Sequence, residues 1–233
     1  MRILRSVFVL GGTALGLSAC AGRVAPQQYY AARYAASLVD VSRPTATKQR
    51  YGATIAIMPG DSSRYAFEDG LIAVQVGVLH NGVRLNVRNK GDQSIKLIWD
   101  ETSFIDLDGT LSRVMHIGVK YADRNMSQPP TVIPAQQRLV DDVFPTSRVW
   151  YRPASARLPA GYQNGALLNP AYASGVVQAG APMAAPDSFT TVVRSQVGRR
   201  FAVVVPFEVG GVKNEYTFWF KVDDAAVKPL EQP

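Results

Sequence analysis

The central part of the chain alternates apolar and polar residues, with turn residues between the runs. From residue 83 to 88 every second residue is aliphatic, and the residues between them are Arg or Asn. Side chains alternate between the two faces of a β-strand, so this period of two predicts a half-buried strand. Asn81-Gly82 separates the run from another apolar run, 71–79, and an Asn-Gly pair between two such runs predicts a β-hairpin.

Similar runs continue to the C-terminal region, with turn residues about every ten positions. Pro206 interrupts one of them and indicates an edge strand or a bulge there, because proline has no amide hydrogen to donate. The spacing is typical of an antiparallel β-sandwich or small barrel. It predicts one all-β domain over residues 51–224 and a polar tail over 225–233. The other predicted strands cover residues 53–58, 63–67, 94–100, 103–107, 110–117, 138–144, 188–197, 200–209 and 213–222.

The region before residue 51 lacks this alternation. Pro26 is suited to begin a helix, and Tyr30, Tyr34 and Leu38 follow at intervals of four residues. We therefore predict a tether over residues 20–50 that contains a short helix at 27–38, docked on the domain or on a partner.

A second exceptional stretch, 158–186, has no charged residue and is rich in Ala, Gly, Pro, Asn and Tyr. Its prolines and glycines exclude a membrane-spanning helix. It is predicted to be a long loop, which would be either functional or disordered. Its Tyr162 and Tyr172, together with Trp219, form our candidate binding surface.

The N-terminus has the pattern of a secretory signal peptide, residues 1–19. Arg2 and Arg5 precede a short apolar run, and small residues end it. The final quartet Leu17-Ser18-Ala19-Cys20 resembles the lipobox of bacterial lipoproteins, in which the cysteine becomes the acylated first residue of the mature chain. The resemblance implies a palmitate-type anchor on Cys20 in a lipid bilayer. Ala21, rather than aspartate, then implies the outer membrane, facing the periplasm, in preference to the inner membrane or the cell surface.

Two other readings of the quartet stay open: ordinary secretory cleavage at Ala19-Cys20-Ala21, or a cysteine with no such role. Cys20 is the chain's only cysteine, so no intramolecular disulfide is available.

Charge adds little to this picture. The formal net charge is +7, or +5 once Arg2 and Arg5 are removed with the signal, and the basic residues are spread along the chain. A modest basic excess suits an anionic membrane surface or simply solubility. Without a basic cluster, nucleic acid is not an expected partner.

Candidate chemistry is sparse in the sequence. His80 and His116 lack the short spacing of metal ligands, no G-x-S-x-G motif occurs, and no cofactor is expected. The acidic pairs Asp100-Glu101 and Asp141-Asp142 are neighbours, which a strand directs to opposite faces, so neither predicts a two-carboxylate site. A pocket that combined His116 with Asp100 and Asp106 would instead favour an enzyme.

Aromatic residues offer a further candidate, a platform for carbohydrate. Its members would come from Trp99, Trp150, Trp219, Tyr151 and Tyr216, although aromatic residues in strands more often belong to a core.

The segment 85–118 resembles the cores of uncharacterised bacterial envelope lipoproteins, in which an Asn-rich turn joins immunoglobulin-like strands. The residues that carry the resemblance are 86–90 (NVRNK), 95–100 (IKLIWD) and 113–116 (RVMH). It implies an immunoglobulin-like β-sandwich and an envelope location, and it brings no catalytic residue. The expected function is a non-catalytic interaction or structural module that contacts an envelope protein or polymer. The alternatives are an enzyme acting on envelope glycan or lipid, and a component of a secretion or surface assembly.

Overall fold

The computed structural model describes residues 27–43, 55–56, 64–155, 159–168, 172–176 and 187–229. The predicted signal peptide and the predicted lipidation site, Cys20, lie outside these residues. Among the helices within them, none has the length and apolar character needed to cross a membrane.

The described residues form fifteen β-strands and one α-helix, which confirms the all-β class. The helix, α1, covers Asp187–Arg194. The strands are β1 (Gln27–Ser42), β2 (Ile55–Ala56), β3 (Arg64–Glu68), β4 (Ile72–Val78), β5 (Val83–Asn89), β6 (Ile95–Leu97), β7 (Ser103–Ile105), β8 (Leu111–His116), β9 (Thr131–Ile133), β10 (Arg138–Pro145), β11 (Val149–Arg152), β12 (Gly161–Asn164), β13 (Tyr172–Val176), β14 (Arg200–Val209) and β15 (Val212–Pro229).

Thirteen of the described strands form one nearly closed antiparallel sheet, in the order β13-β1-β15-β14-β7-β8-β10-β5-β4-β3-β2. β6 also pairs with β14, and β9 pairs with β6. β8 changes partner midway: its first half, to Arg113, pairs with β7, and its second half, from Val114, pairs with β10. The strands therefore fall into two groups that meet through β8. The remaining two, β11 and β12, pair only with each other among the described residues.

The two groups of strands enclose a common core. Alternate residues of β4 and β5 are buried there, as the period of two predicts. They meet a set of aromatic residues on β14 and β15, where Phe67 of β3 packs edge-on against Tyr216 and Phe218 with ring centroids 6.1 Å apart. Burial of these side chains supplies the main stabilisation of the fold.

The predicted hairpin at Asn81-Gly82 is confirmed. β4 and β5 pair without a break, from Ile72 opposite Asn89 to Val78 opposite Val83. Their connection covers residues 79–82, and the Leu79 amide donates to the Gly82 carbonyl at 2.9 Å. Neither Asn81 nor Gly82 has a positive φ, so the connection is not the two-residue type I′ turn that Asn-Gly commonly forms. A Cβ on Gly82 would lie 2.3 Å from the Val143 carbonyl oxygen. The glycine is therefore needed for close packing against β10.

The helix predicted at 27–38 is wrong, because these residues belong to β1. A spacing of four residues fits a strand as well as a helix, since both would place Tyr30, Tyr34 and Leu38 on one side. β15 provides a partner from Thr217 to Pro229, and the register shifts twice. Asp223 is an extra residue of β15 opposite Ala35 and Ala36, and Val39 is an extra residue of β1 between Leu38 and Asp40. The predicted tether thus contains a central strand of the sheet.

Two further predictions are corrected in the C-terminal half. Residues 188–197 were expected to be a strand, but α1 occupies most of them, and its Phe189 and Val193, four residues apart, are buried against Tyr30, Ala32 and Ala225. The expected tail begins with the last part of β15, which runs to Pro229.

Pro206 lies neither at a bulge nor at a sheet edge. It keeps register opposite Glu215 of β15. On its other side it falls between the stretches of β14 that pair with β7 and β6, and its carbonyl accepts a hydrogen bond from Ile98 at 3.1 Å. Proline has no amide hydrogen to donate, and Pro206 therefore lies at the point of β14 where the neighbouring strand changes from β7 to β6.

The described parts of 158–186 are not simply a loop. They include β12, which pairs with β11, and β13, which pairs with β1.

Candidate functional site

The hairpin of β11 and β12 exposes aromatic residues on both of its faces. Trp150 and Tyr151 are consecutive, so they point to opposite faces, yet they are 50% and 55% exposed. A strand packed against the core would bury one of them. The β11–β12 hairpin therefore projects from the main sheet, with Tyr151 directly opposite Tyr162.

Three tyrosines from two segments meet on one face of this hairpin. The Tyr162 ring lies 5.3 Å from that of Tyr151 and 6.5 Å from that of Tyr121, which belongs to a short 3₁₀ turn at Tyr121–Asp123. The Arg124 guanidinium lies 5.6 Å from the centroid of the Tyr162 ring. We name Tyr121, Tyr151, Tyr162 and Arg124 the tyrosine cluster.

The base of the hairpin fixes the position of the cluster. Val149 and Leu167, at the two ends of the hairpin, are buried. The Gly165 amide donates to the Arg148 carbonyl at 2.9 Å, and the Leu167 amide donates to the His80 carbonyl at 2.7 Å. Because a two-stranded hairpin alone is only marginally stable in water, these attachments order it.

The position of the Trp150 ring, on the other face of the hairpin, depends on Gly165. A Cβ at position 165 would lie 2.6 Å from Cζ3 of the Trp150 ring. The absence of a side chain there lets the indole lie against the backbone.

The geometry of the tyrosine cluster favours contact with a polypeptide over contact with a sugar. Tyr151 and Tyr162 meet at 70°, and Tyr121 and Tyr162 at 60°, so the rings form no flat platform. Exposed Tyr, Trp and Arg side chains are characteristic of the energetic centres of protein interfaces. β11 and β12 carry Arg152 and no acidic residue, and the adjoining 3₁₀ turn has Asp123 between Lys120 and Arg124, so the local charge is net positive.

The three residues of the predicted binding surface lie in three different strands. Tyr162 lies in the tyrosine cluster, whereas Tyr172 lies in β13, opposite Ala31 of β1. Trp219 lies in β15, half-buried, with the Arg200 guanidinium 5.8 Å from its ring centroid. Tyr121 and Arg124 were missed because they precede β12 by about 40 residues in sequence.

The residues of the predicted carbohydrate platform likewise lie in different environments. Trp99 and Tyr216 are buried in the core, and Trp150 and Tyr151 are exposed on opposite faces of the hairpin. The adjacent pair Trp150-Tyr151 was the sequence signal that could have indicated an exposed hairpin.

His116 forms a compact arrangement with Trp99 and Asp141. Its ring stacks on the indole with a centroid distance of 4.1 Å and an interplanar angle of 8°. Its Nδ1 lies 3.0 Å from Oδ2 of Asp141, whose Oδ1 accepts the Ile117 amide hydrogen at 3.0 Å. The indole Nε1 donates to the Thr131 hydroxyl at 2.8 Å. This arrangement connects β8, β9 and β10 with the turn at Trp99.

Asp100 and Asp106 do not join His116. Asp106 accepts the backbone amides of Asp108 and Thr110, which is the role of a turn residue. Asp100 accepts hydrogen bonds from the Ser127 hydroxyl, the Gln128 amide at 3.0 Å and Arg113 at 2.8 Å. These donors hold the pKa of Asp100 below its ordinary value. The pocket that would have favoured an enzyme is therefore not formed by these three residues.

The two acids at Asp141-Asp142 point to opposite faces, as predicted. Asp142 accepts two hydrogen bonds from Arg84, at 2.6 and 2.8 Å, whereas Asp141 contacts His116. The bond to Asp142 and its charge raise the pKa of the Arg84 guanidinium. Among the described residues, no three His, Cys, Asp or Glu side chains are close enough together to hold a metal ion.

Comparisons with protein-family models, curated proteins and solved structures found no match to this chain.

Proposed function

We propose that this protein is a non-catalytic interaction module of the bacterial cell envelope that binds an acidic segment of another protein through the tyrosine cluster. The exposure of Tyr151 and Tyr162 beside Arg124 carries the proposal. Folding leaves these rings in contact with water, although burying an aromatic side chain is strongly favourable. A partner that covers them would recover that free energy.

The electrostatics of the surface decide which partner fits. Arg124 lies at the tyrosine cluster and Arg152 ends β11, and the formal charge of the whole chain is also positive. Complementary charge accelerates encounter and excludes partners of the same sign. A partner segment with acidic residues around an apolar or aromatic centre meets both requirements.

The anchoring part of the proposal depends on the N-terminal sequence. Its lipobox-like quartet supports acylation of Cys20 and attachment to the outer membrane, facing the periplasm. Several acyl chains contribute about 0.8 kcal/mol per buried CH₂, enough for stable attachment.

The finer fold assignment, an immunoglobulin-like β-sandwich, is also part of the proposal. The two groups of strands that enclose one core support it, because two sheets packed face to face with interdigitated inner side chains define a sandwich.

Site-specific photocrosslinking in intact cells tests the tyrosine cluster. A photoreactive phenylalanine analogue at position 151 should give a discrete protein adduct, and Tyr162→Ala should reduce the yield of that adduct. Position 29 is the matched control, because Tyr29 is 45% exposed on β1, which pairs with β13 and β15 and not with the hairpin. The same adducts from both positions, or an adduct at 151 that is indifferent to Tyr162→Ala, would refute the proposed surface.

Cys20→Ser tests the anchor separately. The variant should lose incorporation of labelled palmitate and leave the membrane fraction. A variant that keeps both properties would show that Cys20 is not the attachment site, and it would leave the crosslinking result intact.

A further inference from the structure

A cleft of about 200 Å³ lies where β1 approaches the turn after β4 and the segment that follows β12. We name it the β1 cleft. It is lined by residues 32–36 of β1, by residues 78–80 at the end of β4, and by residues 166–168 after β12. It is separate in sequence from the tyrosine cluster, although Leu167 and Leu168 also belong to the base of the β11–β12 hairpin.

A register shift lies beside one wall of this cleft. Between Ala35 and Ala36 of β1 the paired residue on β15 changes from Asp224 to Val222, so Asp223 is an extra residue of β15 at this point. A bulge of this kind changes the local direction of the paired strands, and bulges are common next to binding sites. The opposite wall is held in place by the hydrogen bond from the Leu167 amide to the His80 carbonyl, at 2.7 Å.

The walls combine an apolar surface with basic groups at the rim. Ala32, Ala36, Leu167 and Leu168 are buried, whereas Arg33 and His80 are exposed. The described residues that line the cleft include no Asp or Glu. A negative charge entering here would thus meet Arg33 and His80, with no carboxylate among the lining residues, although Asp224 of β15 lies opposite Ala35.

Tyr34 adds a hydroxyl group to this wall. Burial raises the pKa of Tyr34, so its hydroxyl stays protonated well above neutral pH.

We propose that the β1 cleft binds a small organic anion, a carboxylate with a short unbranched apolar chain. The chain would contact the alanine and leucine side chains, and the carboxylate would bind Arg33 and His80. A cleft of 200 Å³ is smaller than the roughly 300–1,000 Å³ of sites for drug-sized molecules, so the ligand is small. This site does not depend on the lipid anchor or on the tyrosine cluster.

Two-dimensional NMR of the ¹⁵N-labelled protein with hexanoate as the probe tests the proposal. Hexanoate should shift the amide signals of residues 32–36 and 166–168 in a saturable manner. Hexanol, which has the chain without the charge, and acetate, which has the charge without the chain, should each bind at least about tenfold more weakly. Equal binding of hexanol would refute the role of the basic rim, and equal binding of acetate would refute the role of the apolar walls.

Substitutions then test whether Arg33 and His80 bind the carboxylate of hexanoate. Arg33→Gln and His80→Gln, both at exposed positions, should each weaken hexanoate binding by about tenfold, since a charge-assisted hydrogen bond is lost. Arg88→Gln, at an exposed position of β5 outside the cleft, should bind as the wild type does. Wild-type affinity in both cleft variants, or no saturable shift in the wild type, would overturn the proposal.

Discussion

At the scale of single residues, Asp100 joins three segments of the chain. Its carboxylate accepts hydrogen bonds from Arg113 of β8 and from Ser127 and Gln128 in the segment before β9. Arg113 also donates to the Asn125 carbonyl at 3.0 Å. Together these bonds hold the segment that carries the tyrosine-cluster residues Tyr121 and Arg124 close to β8.

Because the folded protein holds the pKa of Asp100 below its unfolded value, the carboxylate stabilises the folded state only when it is ionised. This contribution is complete above the ordinary pKa of 3.8 and disappears as the pH falls toward the lower folded value. Ser127→Ala removes the first donor, so the pKa of Asp100 should rise and the protein should be less stable near neutral pH.

Carboxyl-carbon NMR titration of Asp100 and urea unfolding at several pH values measure these two effects. The difference in stability between Ser127→Ala and the wild type should shrink as the pH falls below 3.8. The change is modest, because Asp100 is partly exposed. A difference that persists unchanged at the lowest pH would assign the effect of Ser127 to packing.

Local sequence predicted some residue-level features and missed others. The opposite orientations of Asp141 and Asp142 follow from the period of a strand. The contact of Asp141 with His116 does not, because it depends on the register of β10 against β8 across 25 residues. No local pattern specifies which of several alternating runs will lie beside another.

At the scale of elements, the sequence predicted best where the period was unambiguous. The alternation of β4 and β5 excluded a helix, and their hairpin was found. The residues of β1 were predicted to form a helix and those of α1 to form a strand, because a four-residue spacing of apolar groups fits a helix and also one face of a strand. Tertiary pairing decided the outcome: β1 found β15, and α1 packed its apolar face on the outside of the sheet.

The two hairpin glycines, Gly82 and Gly165, should respond differently to alanine. In Gly82→Ala the new Cβ meets a backbone carbonyl at 2.3 Å, which cannot move without disturbing β10. We expect a loss of about 1–3 kcal/mol in the free energy of unfolding. In Gly165→Ala the Cβ meets the half-exposed ring of Trp150, which is free to rotate into solvent. The expected loss is below about 0.5 kcal/mol.

Urea unfolding and tryptophan fluorescence distinguish these effects. Gly82→Ala should lower the unfolding midpoint with little change in native emission, whereas Gly165→Ala should shift the native emission and leave the midpoint nearly unchanged. The opposite pattern would mean that Trp150 supports the core.

At the scale of the whole molecule, the nearly closed sheet depends on β1. This strand lies between β13 and β15, and it buries Tyr30, Ala36 and Leu38. Its pairing with β15 joins residues near the beginning of the described chain to residues near its end. Sequence patterns identify strands but not such distant partners, which explains why a tether was predicted here.

A chain shortened to residues 44–233 tests this dependence. Without β1, one long side of β15 and the buried surface beneath it would be exposed to water, so the shortened chain should be unfolded or aggregated. The control, residues 21–233, keeps β1 and lacks only the predicted signal and Cys20. Near-UV circular dichroism and amide dispersion in NMR should show a native fold only in the control. Cooperative unfolding of the shortened chain would mean that β1 is dispensable.

The beginning of β1 at Gln27 also sets how far the protein could travel from its membrane. Seven peptide links separate Cys20 from Gln27, and at full extension they span only about 25 Å. A tether of thirty residues would have allowed about 100 Å. If Cys20 carries the proposed lipid, the linker between Cys20 and β1 is too short for the domain to move far from the membrane into the periplasm. It would then search for its partner in two dimensions, by lateral diffusion in the plane of the membrane.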